Sequence, residues 1–483
     1  MKNDTREENE QSASSLRNEY HAFLASKRTV APSTGIEVAL EDIHLQLFDF
    51  QKALVQWALK KGKAALFTDT GTGKSRMQAE WARLICELTG GRVLILAPLA
   101  VTHQTIAEAA HIGVKVTYCR DQGDVPATGI AISNYERLER FDASAFVGIV
   151  LDESSILKAF SGVTKKLLIK TFVNTPYKLC CTATPAPNDL EELCNHADFL
   201  GVMKPNEMRS TFFIADSRGE FMRYRLKRHA RKAFFRWLAS WAMAMKVPSD
   251  LGYPDDGFTL PGLQIVGEFV ESDYVPPGQL FAIDVRGIGE ANAVRRGTLS
   301  ARVERVASLI TQEPDEPWLV WCGLNDEGRE LVRLIPGAVV VEGSDTVEEK
   351  TTRLLDFAEG RTRVLITKPS IAGFGMNFQI CARMAFLGIG YSYEQYYQAL
   401  RRCYRYGQKR KVVAYVVLGE QEKPIYETVL QKEAEATELS SGLLLEARAY
   451  ERAELFAGTS AADDYEPRMP IQLPAWLGRA RIA

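Results

Sequence analysis

Histidine is scarce and cysteine is scattered, and neither sign of charge prevails. The six histidines form no ligand-spaced cluster, so a catalytic metal held by imidazoles is not expected. The eight cysteines include one adjacent pair, Cys180-Cys181, and no C-x-x-C. That spacing argues against structural zinc and against a disulfide framework, and fits a reducing cytoplasm. With 59 basic and 61 acidic residues the net charge is −2, so no global field draws the chain to polyanions. Any nucleic-acid contact must come from local patches. No apolar run is long enough to span a bilayer. Met1 to Leu16 is polar and of mixed charge, without the apolar segment of a signal peptide.

What the chain does have is apolar residues, at 46% of 483, enough to build about three domains with sizeable cores. Residues 1–24 are rich in Glu, Ser and Asn and read as a disordered tail. Ile36, Val38 and Leu40 alternate as in a short strand, and Ala53, Leu54, Trp57 and Ala58 form a helical stripe.

The central feature is Phe67-Thr68-Asp69-Thr70-Gly71-Thr72-Gly73-Lys74-Ser75. It follows the apolar run Ala64 to Phe67 and precedes Met77, Trp81, Leu84 and Leu88, spaced for one helix face. A strand, a glycine-bearing turn and a helix opening on Gly-Lys-Ser make a phosphate cradle. Gly71 and Gly73 let backbone N–H groups turn inward, with Thr70 and Thr72 beside them. Lys74 reaches phosphate and Ser75 ligates Mg²⁺ in such a turn. Thr68 stands where the usual pattern has its first glycine. Gln51, just upstream, is a candidate adenine reader, because its amide can both donate and accept.

Further short apolar runs follow at Val93–Ala97, Gly129–Tyr135, Gly148–Glu153 and Lys178–Pro185. Their alternation with helical stretches predicts a parallel sheet covered on both faces, with ligands at the carboxyl ends of its strands. Asp152-Glu153 closes one strand there. Asp152 is suited to hold Mg²⁺ through water, and Glu153 to orient an attacking water. Residues 205–300 change character. Arg223, Arg225, Lys227, Arg228, Arg231, Lys232 and Arg236 interleave with Tyr224, Phe234, Phe235, Trp237 and Trp241. A helix with one phosphate-binding and one packing face is expected, or else an ordinary solvated basic face.

A second strand–helix alternation begins at Pro317, with apolar runs at Trp318–Cys322, Gly337–Val341, Arg363–Thr367, Met384–Leu387 and Val412–Val417. It has no phosphate cradle. It does contain Gln398 to Gln408, in which Arg402 and Arg405 are spaced for one helical face. Two guanidiniums there could reach a nucleotide bound by the first half. Residues 421–456 read as helical.

In this order the motifs resemble the superfamily-two helicases and translocases, and more narrowly the SWI/SNF-type chromatin-remodelling ATPases with their bacterial and phage relatives. The resemblance spans about residues 45–200 and 317–418. Leu47 to Gln51 is similar to the adenine-reading segment, and Asp69 to Ser75 to the first ATPase motif. Ala97 to Val101 looks like a strand end that contacts a nucleic-acid backbone. Asp152-Glu153-Ser154-Ser155 with Lys158 takes the place of Asp-Glu-Ala-His. Thr182-Ala183-Thr184-Pro185 with Asn188 resembles the segment coupling hydrolysis to movement. Gly373 to Gln379 looks like the fifth motif, with Gly375 and Asn377 at the nucleotide. Gln398 to Gln408 looks like the sixth, with Gln398 and the finger positions Arg402 and Arg405.

The resemblance implies two RecA-like α/β lobes, at residues 25–204 and 301–420. Between them a mostly helical basic and aromatic insertion is expected at 205–300, and after them a helical extension and tail at 421–483. It implies ATP and Mg²⁺ as cofactors and nucleic acid, foremost double-stranded DNA, as partner. Pro98, Thr102, Arg223, Lys227, Arg231 and Thr367 are the expected nucleic-acid contacts, and Thr182, Thr184 and Lys158 the coupling residues. A soluble protein of a bacterial or infected-host cytoplasm is expected. Departures are Thr68, Ser154-Ser155, Arg401 where that branch has an acid, and Tyr404 where a histidine is common. Alternatives are a strand-separating or branch-migrating helicase on DNA or RNA, and an ATP-switched nucleic-acid clamp. A P-loop kinase or GTPase fits less well, because of the second half and Gln51. No acid cluster outside the two halves supports a fused nuclease.

Overall fold

Two parallel β-sheets organise the chain in a computed structural model that describes residues 30–158, 162–186, 190–216, 223–271, 275, 288–372, 376–390 and 392–456. The expected tail at 1–24, the end beyond 456, Asn188 and Gly375 lie outside the described residues. In chain order the first sheet contains β1 (Lys63–Thr68), β2 (Arg92–Ala97), β3 (Val116–Tyr118), β4 (Gly129–Asn134), β5 (Gly148–Asp152) and β6 (Tyr177–Cys181). Helices α1 (Asp49–Lys61), α2 (Lys74–Thr89), α3 (Leu99–His111), α4 (Val163–Thr171) and α5 (Leu193–Leu200) surround it. Next come α6 (Pro205–Phe212), an antiparallel hairpin of β7 (Phe213–Asp216) and β8 (Arg223–Leu226), α7 (Arg231–Ala239) and β9 (Ala242–Met245). The sheet order is β3-β4-β2-β5-β6-β1-β9.

Its strands are mostly apolar in their middle positions because both faces are covered. Ala65, Phe67, Leu94, Leu96, Ile149 and Leu151 join one core, while Ala64, Leu66, Val93, Ile95 and Val150 join the core on the opposite face. The side-chain period of two thus divides each strand between two buried layers.

The second sheet uses β10 (Leu263–Val270), β11 (Trp318–Cys322), β12 (Val339–Val340), β13 (Val364–Thr367), β14 (Arg383–Leu387) and β15 (Val412–Gly419) in the order β10-β15-β14-β11-β13-β12. Around it stand α8 (Ile288–Gly297), α9 (Leu299–Gln312), α10 (Asn325–Leu334), α11 (Val347–Ala358) and α12 (Tyr393–Leu400). A buried ion pair joins its elements. Arg302 Nη1 donates to Glu327 Oε1 at 2.8 Å, and Glu327 Oε2 accepts from the N–H groups of Gly323 and Leu324. Each charge is fully paired, which is the condition for tolerating it in a core.

Three expectations change. Residues 205–300 are not a helical insertion. Phe234, Phe235, Trp237 and Trp241 are core residues of the first lobe, β9 pairs with β1, and β10 pairs with β15. The aromatics at helical spacing are packing groups, and among the described residues the strands β7 and β8 pair apart from the two sheets. Residues 36–40 form no strand. Instead the N–H groups of Thr34, Gly35 and Ile36 donate to the last carbonyls of α1, Lys61, Lys60 and Leu59, which satisfies a helix end that would otherwise be bare. Finally, α12 stops at Leu400, so Arg402 and Arg405 lie in the turns after it.

The last helix, α13 (Lys423–Phe456), has 34 residues and is about 50 Å long at 1.5 Å per residue. Its first turns belong to the second lobe, where Ile425 and Val429 are buried. Its later turns belong to the first. Ala447 joins that core, Glu454 pairs with Lys61 at 2.7 Å, and Glu451 Oε1 accepts from the Ala244 N–H at 2.8 Å. One helix therefore straps both lobes.

Burial pushes the Glu451 carboxyl up to about 8, with the Ala244 N–H opposing and Asp250 reinforcing. The folded chain then holds a proton that the unfolded chain releases near about 4.3, so this group's stabilisation is lost as pH rises from the unfolded value through 8. Glu451→Gln keeps the acceptor oxygen and removes the titration. It should melt about 2 °C or more above wild type at pH 8.5, the shift expected of roughly 1 kcal/mol, with the gap closing near pH 5. Melting curves with the same pH slope for both proteins would exclude this role.

Candidate nucleotide site between the two sheets

The phosphate-cradle turn leaves β1 at Thr68 and enters α2 at Lys74. Gly71 and Gly73 hold φ of +86° and +84°, where a side chain is strained. Space forbids one as well, since a Cβ on Gly73 would lie 2.2 Å from Gln51 Nε2. Thr72 Oγ1 donates to Thr68 Oγ1 and to the Asp69 carbonyl, so Thr68, in place of the missing glycine, braces the turn. Lys74 Nζ is held by the carbonyls of Thr68 and Asp69 at 2.9 and 3.1 Å. Ser75 follows at the start of a 16-residue helix, whose N-terminus favours anions.

Gln51 is buried, and both ends of its amide bond the backbone. Its Nε2 donates to the Thr72 carbonyl at 2.8 Å and its Oε1 accepts from the Phe48 N–H at 3.0 Å. In this arrangement it anchors the cradle rather than offering a free amide to a base.

Asp152 and Glu153 end β5 beside the cradle. Asp152 Oδ1 accepts from Gln78 Nε2 at 2.8 Å and from the Glu153 N–H at 3.1 Å. Tyr135 OH donates to the Asp152 carbonyl at 2.6 Å. Burial raises both carboxyls above the ordinary range, and the Lys74 charge pulls each back down. For Glu153 the net rise brings its basicity nearer neutral pH, as a water-activating base requires. Glu153 is the single non-glycine with positive φ among the described residues, at +52°. That conformation costs about 1–2 kcal/mol and is held by its neighbours. Thr182 Oγ1 lies 3.4 Å from Glu153 Oε2, and Thr184 N donates to Thr182 Oγ1 at 3.1 Å.

The next residue, Ser154, meets a group that sequence reading missed. His196 Nε2 of α5 lies 3.1 Å from Ser154 Oγ, and its ring packs edge-on against Phe67. Burial pushes this imidazole down to about 3, so it is neutral. Its neighbour Asn195 donates to the Lys158 carbonyl at 3.0 Å. The imidazole that meets this turn thus comes from some forty residues downstream. No spacing rule could have found it.

The opposite wall comes from the second sheet. Arg402 donates through Nε to the Gln398 carbonyl and through Nη2 to Gln398 Oε1, both at 2.9 Å. Arg402 and Arg405 each donate to the Met376 carbonyl at 3.3 Å. Burial lowers both guanidiniums. Arg402 falls to about 9, with the Arg405 charge adding to the fall and Glu153 resisting it. Arg402 and Glu153 therefore sense each other across the cleft. Two buried cations this close make a field that favours an anion.

One cleft of about 280 Å³ unites these groups, with Gln51, Thr70, Gly71, Gly73, Lys74, Ser75, Asp152 and Glu153 on one side and Asn377, Arg402 and Arg405 on the other. Buried Gln104 Oε1 and Arg405 Nε point polar atoms that have no protein partner. Orphaned polar atoms, two cradle glycines and carboxylates facing guanidiniums fit a nucleotide polyphosphate. Ser75 and Asp152 are the residues suited to Mg²⁺, which supplies charge neutralisation at phosphate oxygens.

The expected nucleic-acid residues are not gathered in the same way. Thr102 and Thr367 are fully buried, their hydroxyls spent on the Pro98 and Val341 carbonyls, so neither reaches a ligand outside. Pro98 caps α3 and is half-buried. Lys227 Nζ donates to the Ser210 and Thr211 carbonyls, and exposed Arg231 lies over Phe235. Arg223 lies on the hairpin strand β8. Lys158 pairs instead with Glu394 of the other lobe.

Residues 301–407, in the second lobe, match the family model described as helicase conserved C-terminal domain, and the matched range includes both arginines. Among solved structures, the Sulfolobus solfataricus SWI2/SNF2 ATPase core in complex with dsDNA is similar over 87% of this chain and 99% of that one. It has 17% identity and a TM-score of 0.41. Comparison with curated proteins gives no match.

The anchoring of Gln51 has a measurable consequence. Gln51→Ala should weaken ATP and GTP binding in the same proportion, by roughly tenfold, the loss of about 1.4 kcal/mol from two hydrogen bonds. A loss confined to ATP, read with fluorescent nucleotide analogues, would restore the adenine-reading role.

Proposed function

We propose that this chain is a nucleic-acid-stimulated ATPase that moves along duplex DNA. The observation that carries the reading is the cleft in which Lys74, Asp152 and Glu153 face Arg402 and Arg405. The helicase C-terminal domain over 301–407 supports it. ATP binds with its phosphates on the cradle N–H groups and Lys74. Glu153, raised toward neutral by burial, orients water and accepts its proton. Arg402 and Arg405 neutralise charge that develops on the transferred phosphoryl group, at low reorganisation cost because Gln398 and Met376 already orient them. Since the two walls belong to different lobes, full stabilisation requires both lobes in register, which couples hydrolysis to their relative motion.

Duplex DNA is the substrate that the motif resemblance implies. The exposed Arg225, Arg228 and Lys232 on and after the hairpin are local basic groups suited to its phosphates. Contacts of that kind make affinity fall steeply with salt.

ATP hydrolysis should rise at least several-fold with duplex DNA and more than with single strands or RNA. Lys74→Ala should lower the stimulated rate by roughly a hundredfold or more, as loss of a transition-state charge contact does. A rate indifferent to nucleic acid would remove the motor reading, and stronger stimulation by forks with strand displacement would favour a helicase.

A further inference from the structure

The phosphate cradle touches the second lobe directly, through a residue that the proposed chemistry does not use. Asp69, between β1 and the first cradle threonine, has a half-buried carboxylate with three partners. Its Oδ1 accepts from the Thr70 N–H at 2.6 Å and from Tyr397 OH of α12 at 2.9 Å. Its Oδ2 pairs with Arg401 Nη2. The Asp69 carbonyl also accepts from Lys74 Nζ. One residue therefore binds the cradle backbone, the cradle lysine and the opposite lobe.

Arg401 is the residue immediately before Arg402. Its guanidinium lies between two rings, 5.1 Å from Tyr397 and 5.3 Å from Tyr404. Stacking of this kind restricts a planar cation to one orientation before it meets its carboxylate. Lys246 at the end of β9 and Glu433 of α13 line the same cavity, so the pair sits among further charges of both signs rather than in open solvent. Glu394 and Tyr397 of α12 and Arg401 at its C-cap are spaced three and four apart, and so lie toward one side. All three meet the first lobe, Glu394 through Lys158 and the other two through Asp69. Gln398, which holds Arg402 through two hydrogen bonds, is on the same helix.

We propose that Asp69, Tyr397 and Arg401 form an interlobe clasp that positions Arg402 and Arg405 against the cradle. This rests on the ATPase reading above for its effect on rate, but not for its geometry. The three are positioning residues. They register the two walls because Arg401 is bonded to the cradle on one side and to the finger arginine through the chain on the other. Charge is essential to it. A neutral amide at 69 keeps an acceptor for Thr70 and Tyr397 but leaves the Arg401 cation uncompensated, and a buried unpaired charge is costly.

The test uses the full chain with duplex DNA and ATP. Asp69→Asn and Arg401→Gln should each lower kcat by roughly tenfold or more, the scale for displacing a group at the reacting centre, with KM for ATP within about twofold. The double variant should be no worse than the poorer single one, because the pair acts as a unit. Arg401→Lys should recover most of the rate. Losses that multiply in the double variant, or that fall on KM alone, would overturn the clasp. A second readout needs no turnover. Either single substitution should raise amide hydrogen exchange in both 69–75 and 393–405 together, and a rise confined to the substituted segment would equally overturn it. If wild type proved inactive the ATPase reading would fall, while the exchange result would still decide the clasp.

Discussion

Charge is buried on both walls of one cleft, and the rest of the architecture follows from keeping it there. Asp152 on one side and Arg402 on the other are buried, Glu153 and Arg405 beside them are half-buried, and no ion pair between the two sides is seen among the described residues. A single wall would carry uncompensated charge of one sign, which is expensive in a medium of low dielectric. The cost is divided. Gln78 and the Glu153 N–H stabilise Asp152, while Gln398 and the Met376 carbonyl stabilise the guanidiniums. Each wall is held in shape by its own lobe but is electrostatically incomplete until the other approaches. The same preorganisation that tolerates the charges in the ground state is what makes them effective when phosphate charge redistributes.

Two kinds of connection set how the lobes approach. Polar contacts at Asp69 and Lys158 act at the cleft, and they are directional. Apolar and capping contacts along α13 act at its side, where Ala447 and Glu451 fix one end and Ile425 and Val429 the other. A helix is stiff along its axis, so a strap of this length limits separation while leaving rotation about its anchors available. Ion pairs, by contrast, exchange readily with water at a partly exposed cleft.

Much of this was legible in the residues. Buried parallel strands are mostly apolar in their middle positions, so β1, β2, β5, β11 and β14 stood out, and the cradle glycines are dictated by a backbone that no side chain can enter. What escaped has identifiable causes. Strand β9 is Ala-Met-Ala-Met, without β-branched or aromatic residues, so nothing in its propensity betrays it. Its extended conformation comes from pairing with β1, not from its own propensity. The packing face expected among the basic residues of 223–236 exists, but its spacing does not reveal that Phe234 and Phe235 join the first lobe's core. Arg402 and Arg405 reach one cleft from turns rather than from a helix face, because α12 ends first. Thr102 and Thr367 carried an expectation by position in a motif alone, and burial removes it.

The departures from the family pattern are instructive in a different way. Taken singly, Ser154-Ser155, Arg401 and Tyr404 each remove a group the pattern relies on. In three dimensions each is answered. Ser154 bonds His196, a neutral imidazole brought to the residue after Glu153 by another helix. Arg401 finds Asp69, and Tyr404 supplies a face on which Arg401 rests. A motif position is constrained by what its space must contain, not by which segment contributes it, so a buried site can exchange the donor of a charge or ring while conserving the field. Counting matched letters therefore underestimates how complete this cleft is. Its chemistry is set by the sum of groups brought to it, of which a contiguous motif records only the local share.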